Sequence, residues 1–404
     1  MSFQRLFFRS CRASRLSVPT KALFNLQNVQ NARYTTQKNV SSVAQSRTLR
    51  IHPLPAALIS FGLICLGVGL YDHLTSDIQK FPVSVRQPLL KALYYQQNQD
   101  FTLALKYFSE AFAEALQSPE LEKNGAPLTG ILVQLGALQE HVGKLPEARR
   151  SLTLALRHLL GLENEGMKKT ANDAIFQVDL NSLSTLEQKK VVGIAQKLGD
   201  ITSAMKMDEE AERWYEWSVE HLLKVSSKSD SEYGDMNEII FDGEHMPRWL
   251  TQTNIGTALE TFGAYYASRN KSDLAIDLYM RALTLIGLNS CQSAVLMNNL
   301  AESYAKLGKY EDAKLWGQKG LDLAQNPNTK KMNKDGNVCD QACGTLLFNM
   351  GMLFEQTKDQ SKAIQFYQSA RQHGRDFKQA DCIKEADRAL RRIEFEIQRD
   401  HARL

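Results

Sequence analysis

The chain has 404 residues, 43% of them hydrophobic and 23% charged, an ordinary globular composition with room for one or two domains or for one solenoid. The formal net charge of +4 hides an asymmetry: residues 1–71 contain no Asp or Glu, while the first 50 residues carry seven Arg and two Lys. Beyond position 50 there are 40 basic against 45 acidic side chains, a mildly acidic balance that speaks against nucleic acid as a partner.

The acid-free, Arg-, Ser- and Asn-rich stretch 1–50 has the composition of a mitochondrial transit peptide, with a disordered basic arm as the plainer alternative. A secretory signal would carry its apolar run much nearer Met1. Phe3, Leu6, Phe7 and Leu16 can share one helical face while Arg5, Arg9, Arg12 and Arg15 project elsewhere. Processing near Arg33-Tyr34-Thr35 would make 1–35 the transit peptide and 36–50 a matrix segment.

Residues 51–71, IHPLPAALISFGLICLGVGLY, are uncharged and, at about 1.5 Å per residue, long enough for a single transmembrane helix. Pro53 and Pro55 fall in its first turn, where a missing N–H costs little, and Tyr71 suits an interface. A buried soluble helix is the competing assignment. Arg47 and Arg50 precede the segment and Asp72 and Asp77 follow it, so the positive side predicts the N-terminus in the matrix and the rest in the intermembrane space.

From 81 to 397 the pattern predicts an all-α fold, a helical-hairpin solenoid of tetratricopeptide (TPR) repeats. Such a unit needs small residues where its two helices cross and a large side chain beside them. Six segments supply this, aligned on Ala104, Ala148, Ala211, Ala275, Ala313 and Ala363. The first, KALYYQQNQDFTLALKYFSEA, sets Ala92 and Tyr95 against Phe108 and Ala111; the fourth sets Phe262-Gly263 and Tyr266 against Tyr279 and Ala282. The third carries Leu198-Gly199 with Tyr215, and the sixth Met350-Gly351 with Tyr367. The second replaces its aromatics by Gln139 and Leu152, and Gly317 and Gly320 are expected to weaken the second helix of the fifth.

Successive anchors lie 44, 63, 64, 38 and 50 residues apart, so about six irregularly spaced repeats must carry extra material between them. Polar stretches at 161–185, 226–247 and 326–341 are the expected inserts. Ser184 and Glu187 form a capping box that restarts a helix, and the run after Asp381 reads as a final amphipathic helix capping the array.

No Gly-rich phosphate loop, His-Glu-x-x-His helix or nucleophile elbow is present, so the chain is expected to be no enzyme and to need no cofactor or metal. Glu244-His245 falls in a polar loop and reads as a solvated pair. Cys339 and Cys343 are one helical turn apart, a spacing found in oxidised intermembrane-space proteins, although two free thiols account for it equally well. Cys11 belongs to the leader and Cys65 to the apolar segment, while Cys291 and Cys382 read as core residues. Trp214, Tyr215, Trp217 and Trp249 read as filling between helices rather than as a ligand box.

In a TPR array the first helix of each unit lines the concave side, which makes Gln196, Asp200, Glu260, Asn298, Glu302 and Lys306 the candidate peptide-groove residues, with Ala264 beside them. The Lys and Asn set that grips a chaperone's C-terminal carboxylate is missing apart from Asn299. Extended or unfolded segments held by modest contacts fit such a mixed polar strip better.

The order of leader, apolar segment, Phe81-Pro82-x-x-Val85-Arg86 and first repeat KALYYQQNQDFTLALKYF resembles the fungal TPR adaptor subunit of the mitochondrial i-AAA protease complex. The likeness runs over roughly 45–395 and is most specific within 81–111. It implies a non-enzymatic inner-membrane adaptor that joins the i-AAA protease and a partner adaptor subunit and delivers unfolded proteins for degradation. A TPR assembly factor for a respiratory-chain complex would share the same layout.

Overall fold

A computed structural model describes residues 77–122, 125–162, 171–178, 180–226, 246–247, 249–329 and 337–401. The leader, the apolar segment 51–71 and Glu244-His245 lie outside them; no helix of the described residues is long and apolar enough to cross a membrane. Within them the chain is helical throughout, with no β-strand.

Twelve helices pair into the six expected hairpins: α1 (Val83–Gln97) with α2 (Phe101–Gln117), α3 (Ala126–His141) with α4 (Leu145–Leu159), and, after a short α5 (Ala171–Phe176), α6 (Thr185–Ala204) with α7 (Asp208–Ser226). Then come α8 (Gln252–Ser268) with α9 (Ser272–Ile286), α10 (Cys291–Lys306) with α11 (Tyr310–Gln325), and α12 (Asn337–Gln356) with α13 (Gln360–Asp376). The terminal α14 (Ala380–His401) packs on α13, as the amphipathic run after Asp381 predicts.

A buried alanine recurs in every hairpin, and in four of the six a large side chain packs on a glycine beside it. The six anchor alanines are fully buried. Opposite them the first helix carries a residue with little or no side chain. A Cβ on Gly263 would stand 2.7 Å from the Tyr279 ring, and one on Gly351 would stand 2.7 Å from the Tyr367 ring. Gly199 faces Tyr215 and Gly136 faces Leu152 in the same way, at 2.8 Å. Large side chain against glycine sets the helix separation, and the buried alanine keeps it short.

The intra-hairpin turns are equally uniform. Each places one residue in the left-handed region: Gln99, Gly143, Lys206, Asn270, Gly308 and Lys358. The next residue's N–H then bonds back five residues, as in Asp100 to Tyr95 O at 2.9 Å and Lys309 to Tyr304 O at 3.0 Å, satisfying carbonyls that the helix end leaves open. Lys378 repeats this geometry between α13 and α14.

Consecutive hairpins stack by laying the second helix of one on the first helix of the next. In the last three hairpins the first helices also touch in succession, α8 with α10 and α10 with α12, whereas second helices make no comparable contact, so this part of the stack is drawn together on its first-helix side. Its core is a chain of overlapping apolar clusters, each shared by neighbouring hairpins, rather than one centre.

Three expectations need correcting. The glycines of the fifth hairpin do not interrupt α11; they admit the next hairpin, since a Cβ on Gly317 would meet Met350 Sδ at 2.5 Å and one on Gly320 would meet Leu346 at 3.1 Å. The insert after α4 is not simply polar loop: Ile175 and Leu180 are buried, and Phe176 lies 4.6 Å from Trp214, centroid to centroid. Cys339 does not pair with Cys343. It is bonded to Cys291, with Cα atoms 4.9 Å apart, and Cys343 is a buried free thiol.

Candidate interaction surface on the first helices

The first helices present a strip of polar side chains, and most of these tie one hairpin to the next. Lys197 on α6 reaches back to Glu140 on α3 at 2.8 Å. Arg269, at the end of α8, bonds Asp208 on α7 and donates to Ser203 O at 2.9 Å. Lys306 on α10 donates to Ala267 O at 3.2 Å, and Asn349 on α12 donates to Asn298 Oδ1 at 2.8 Å. The disulfide joins the N-terminal turns of α10 and α12.

Each residue expected in the groove has a definite place within this strip. Gln196 is partly buried on α6 and makes no side-chain hydrogen bond to another described residue. Asp200 accepts from the Tyr215 hydroxyl at 2.8 Å and lies 4.0 Å from Lys197. Glu302 is paired with Lys306 at 2.9 Å. Asn298 is buried, its oxygen taken up by Asn349 across the α10–α12 contact. Ala264 belongs to α8, one turn from Glu260.

Glu260 has the least usual surroundings. It projects from α8 toward α10, where the side-chain amides of Gln292 and Asn299 donate to its two oxygens, the latter at 3.5 Å. Burial pushes its carboxyl up to about 7, against a smaller lowering by the Gln292 hydrogen bond. Gln292 was not legible as a site residue, because it sits in the first turn of α10 and acts only across the helix–helix gap. Asn299 is seven residues further on, on the same face, so the two amides flank the carboxyl.

Other shifted groups belong to the packing. Burial and Glu355 raise the Tyr367 hydroxyl, which donates to that carboxylate at 2.6 Å. Burial and Glu212 do the same for Tyr266. Burial pushes the Cys343 thiol up to about 11, which keeps it protonated and poorly nucleophilic at neutral pH. Among the described residues no group of three or more His, Cys, Asp or Glu could hold a metal ion.

A family model agrees with this repeat architecture over one hairpin. A tetratricopeptide repeat family model matches residues 294–327, the fifth hairpin from within α10 to just past α11. No curated protein sequence matches the chain. Among solved structures, BtubC (BKLC) from P. vanneervenii is 18% identical, covers 62% of this chain and 85% of that one, and has a TM-score of 0.41. The APC/C hetero-tetramer Cut9-Hcn1 is 15% identical over 79% of this chain and 45% of that one, with a TM-score of 0.41. A Rap protein complexed with Competence and Sporulation Factor is 12% identical over 81% and 80%, with a TM-score of 0.40.

Proposed function

We propose that this protein is a non-enzymatic adaptor of the mitochondrial inner membrane that holds extended segments of unfolded proteins on its first-helix strip and passes them to the i-AAA protease. Residues 51–71 would anchor it, with the N-terminus in the matrix and the hairpins in the intermembrane space, beside a partner adaptor subunit. Proteolysis is left to the partner.

The observation that carries the proposal is the stack of six hairpins with a braced polar strip on its first-helix side, a surface suited to protein partners. Two further features favour the location. The acid-free leader and the uncharged segment 51–71 match an imported, membrane-anchored chain. A disulfide between Cys291 and Cys339 belongs to an oxidising compartment rather than to a reducing one. The Phe81-Pro82 start and KALYYQQNQDFTLALKYF, which carry the resemblance to i-AAA adaptors, form the entry to α1 and the α1–α2 hairpin.

Affinity purification of the tagged chain from mitochondria in mild detergent tests the assignment. An AAA protease should copurify, and deletion should slow turnover of misfolded inner-membrane proteins. Recovery of a respiratory-complex intermediate with no AAA protease would refute it. Protease treatment of mitoplasts should digest the hairpins, while an intact outer membrane should protect them.

A further inference from the structure

We infer that Glu260, flanked by Gln292 and Asn299, is a cation-accepting subsite that takes a Lys or Arg side chain from an extended client segment. The inference rests on the proposed client-holding role of the first-helix strip and adds to it a charge preference at one place.

The argument is one of charge balance. Four other first-helix carboxylates have cations at hand: Glu140 has Lys197, Glu302 has Lys306, Glu355 has Arg392, and Asp200 has Lys197 within 4.0 Å as well as the Tyr215 hydroxyl. Glu260 meets two neutral amides and forms no ion pair with any described residue. Amide N–H groups satisfy oxygen lone pairs but bring no charge, so a carboxylate held between two helices this way is costly until a cation arrives.

Charges on the described neighbours are spent elsewhere. On α10, Glu302 and Lys306 are paired with each other; on α7, Glu212 is taken by Tyr266 and Lys271. Among the described residues no charged group of α9 pairs with Glu260, whose carboxyl is shifted by burial and, less, by Gln292. A divalent metal is a poor occupant, because one carboxylate and two amides fall short of the six to eight oxygens a hard cation collects. A primary ammonium or guanidinium needs only one such carboxylate and forms a charge-assisted hydrogen bond with it.

Since burial brings the carboxyl up to about 7, cation capture releases a proton near neutrality and strengthens as the pH rises from 6 to 8. The test uses the full-length protein in detergent and fluorescent 12-residue Ser/Ala host peptides with Lys, norleucine or Glu at the central position. At pH 8 the Lys peptide should bind about tenfold more tightly than the norleucine peptide, and at pH 5.5 less than about twofold more tightly. Glu260→Gln should erase the preference at pH 8 without lowering the melting temperature. Equal binding of the three peptides to the native protein, a preference that ignores pH, or a preference that survives Glu260→Gln would overturn the subsite alone. Failure of every peptide to bind would overturn the client-holding role and the subsite with it.

Discussion

Breaking the Cys291–Cys339 bond, by reduction or by the double change Cys291→Ser and Cys339→Ser, should loosen the fifth and sixth hairpins and leave the first two unchanged. The cross-link closes a loop with a sequence separation of 48 residues. The chain-entropy relation for a loop of that size gives about 4 kcal/mol at room temperature, less if the reduced chain keeps structure. That is close to a thousandfold in a local opening equilibrium, at roughly 1.4 kcal/mol per factor of ten. Because a solenoid is held by nearest-neighbour contacts, the loss should stay local. Hydrogen exchange read by mass spectrometry should show faster exchange in α10, α11 and α12 after reduction, with α1 to α4 unaltered. Unchanged exchange in α10 and α12, or free thiols at both positions in a non-reducing peptide map, would refute the reasoning.

Glu260 makes a pH prediction of definite sign. Its folded-state value of about 7 lies above the ordinary 4.5, so the folded protein holds the extra proton and loses stability as pH rises from about 4.5 to 7, by an amount on the order of 3 kcal/mol. Glu260→Gln should flatten that slope in urea titrations and raise the midpoint at pH 8. Gly263→Ala or Gly351→Ala drives a methyl into a tyrosine ring 2.7 Å away, and should lower stability by about 1–3 kcal/mol despite the better helix propensity of Ala. In the turns, Lys206→Gly and Lys358→Gly should each stabilise by about 1 kcal/mol, and Gly308→Ala should cost a similar amount, measured as shifts in melting temperature. Cys343 and Cys382, both buried, should resist iodoacetamide at pH 7.5 in the native protein and react on unfolding.

What the sequence revealed divides along a physical line. The hairpins were legible because their determinants are local: an Ala anchor, a small residue about twelve positions before it in the first helix and, in all but the fifth hairpin, a large side chain four after it lie within one unit. The Ser184 and Glu187 capping box and α14 were legible for the same reason. Features made between units were not. Gly317 looked like a defect because Met350, the side chain it admits, arrives from the next hairpin. The Cys339 and Cys343 spacing suggested a pair because helical periodicity is visible in sequence, whereas the true partner, Cys291, is a hairpin away. Asn298 and Lys306 were assigned to one helix face by phase, but only the stack reveals that Asn349 and Ala267 O engage them.

The irregular repeat spacing also finds its explanation in the stack. The six intra-hairpin turns share one left-handed residue and one hydrogen-bonding pattern, so the edge where first helices end is uniform. The extra length, at 160–184, 227–251 and 326–336, enters only where a second helix ends and the next first helix begins. Insertions there change the connection without altering the glycine-to-ring packing inside a hairpin or the second-helix-to-first-helix packing between hairpins. Spacings from 38 to 64 residues are therefore compatible with one continuous stack. The disulfide lies at this same edge and spans the 326–336 connection, so it fixes the start of α12 against α10 where a long connection constrains it least. Shortening that connection should then cost little while the cross-link is intact. Lengthening any of the six tight turns should instead disrupt its hairpin.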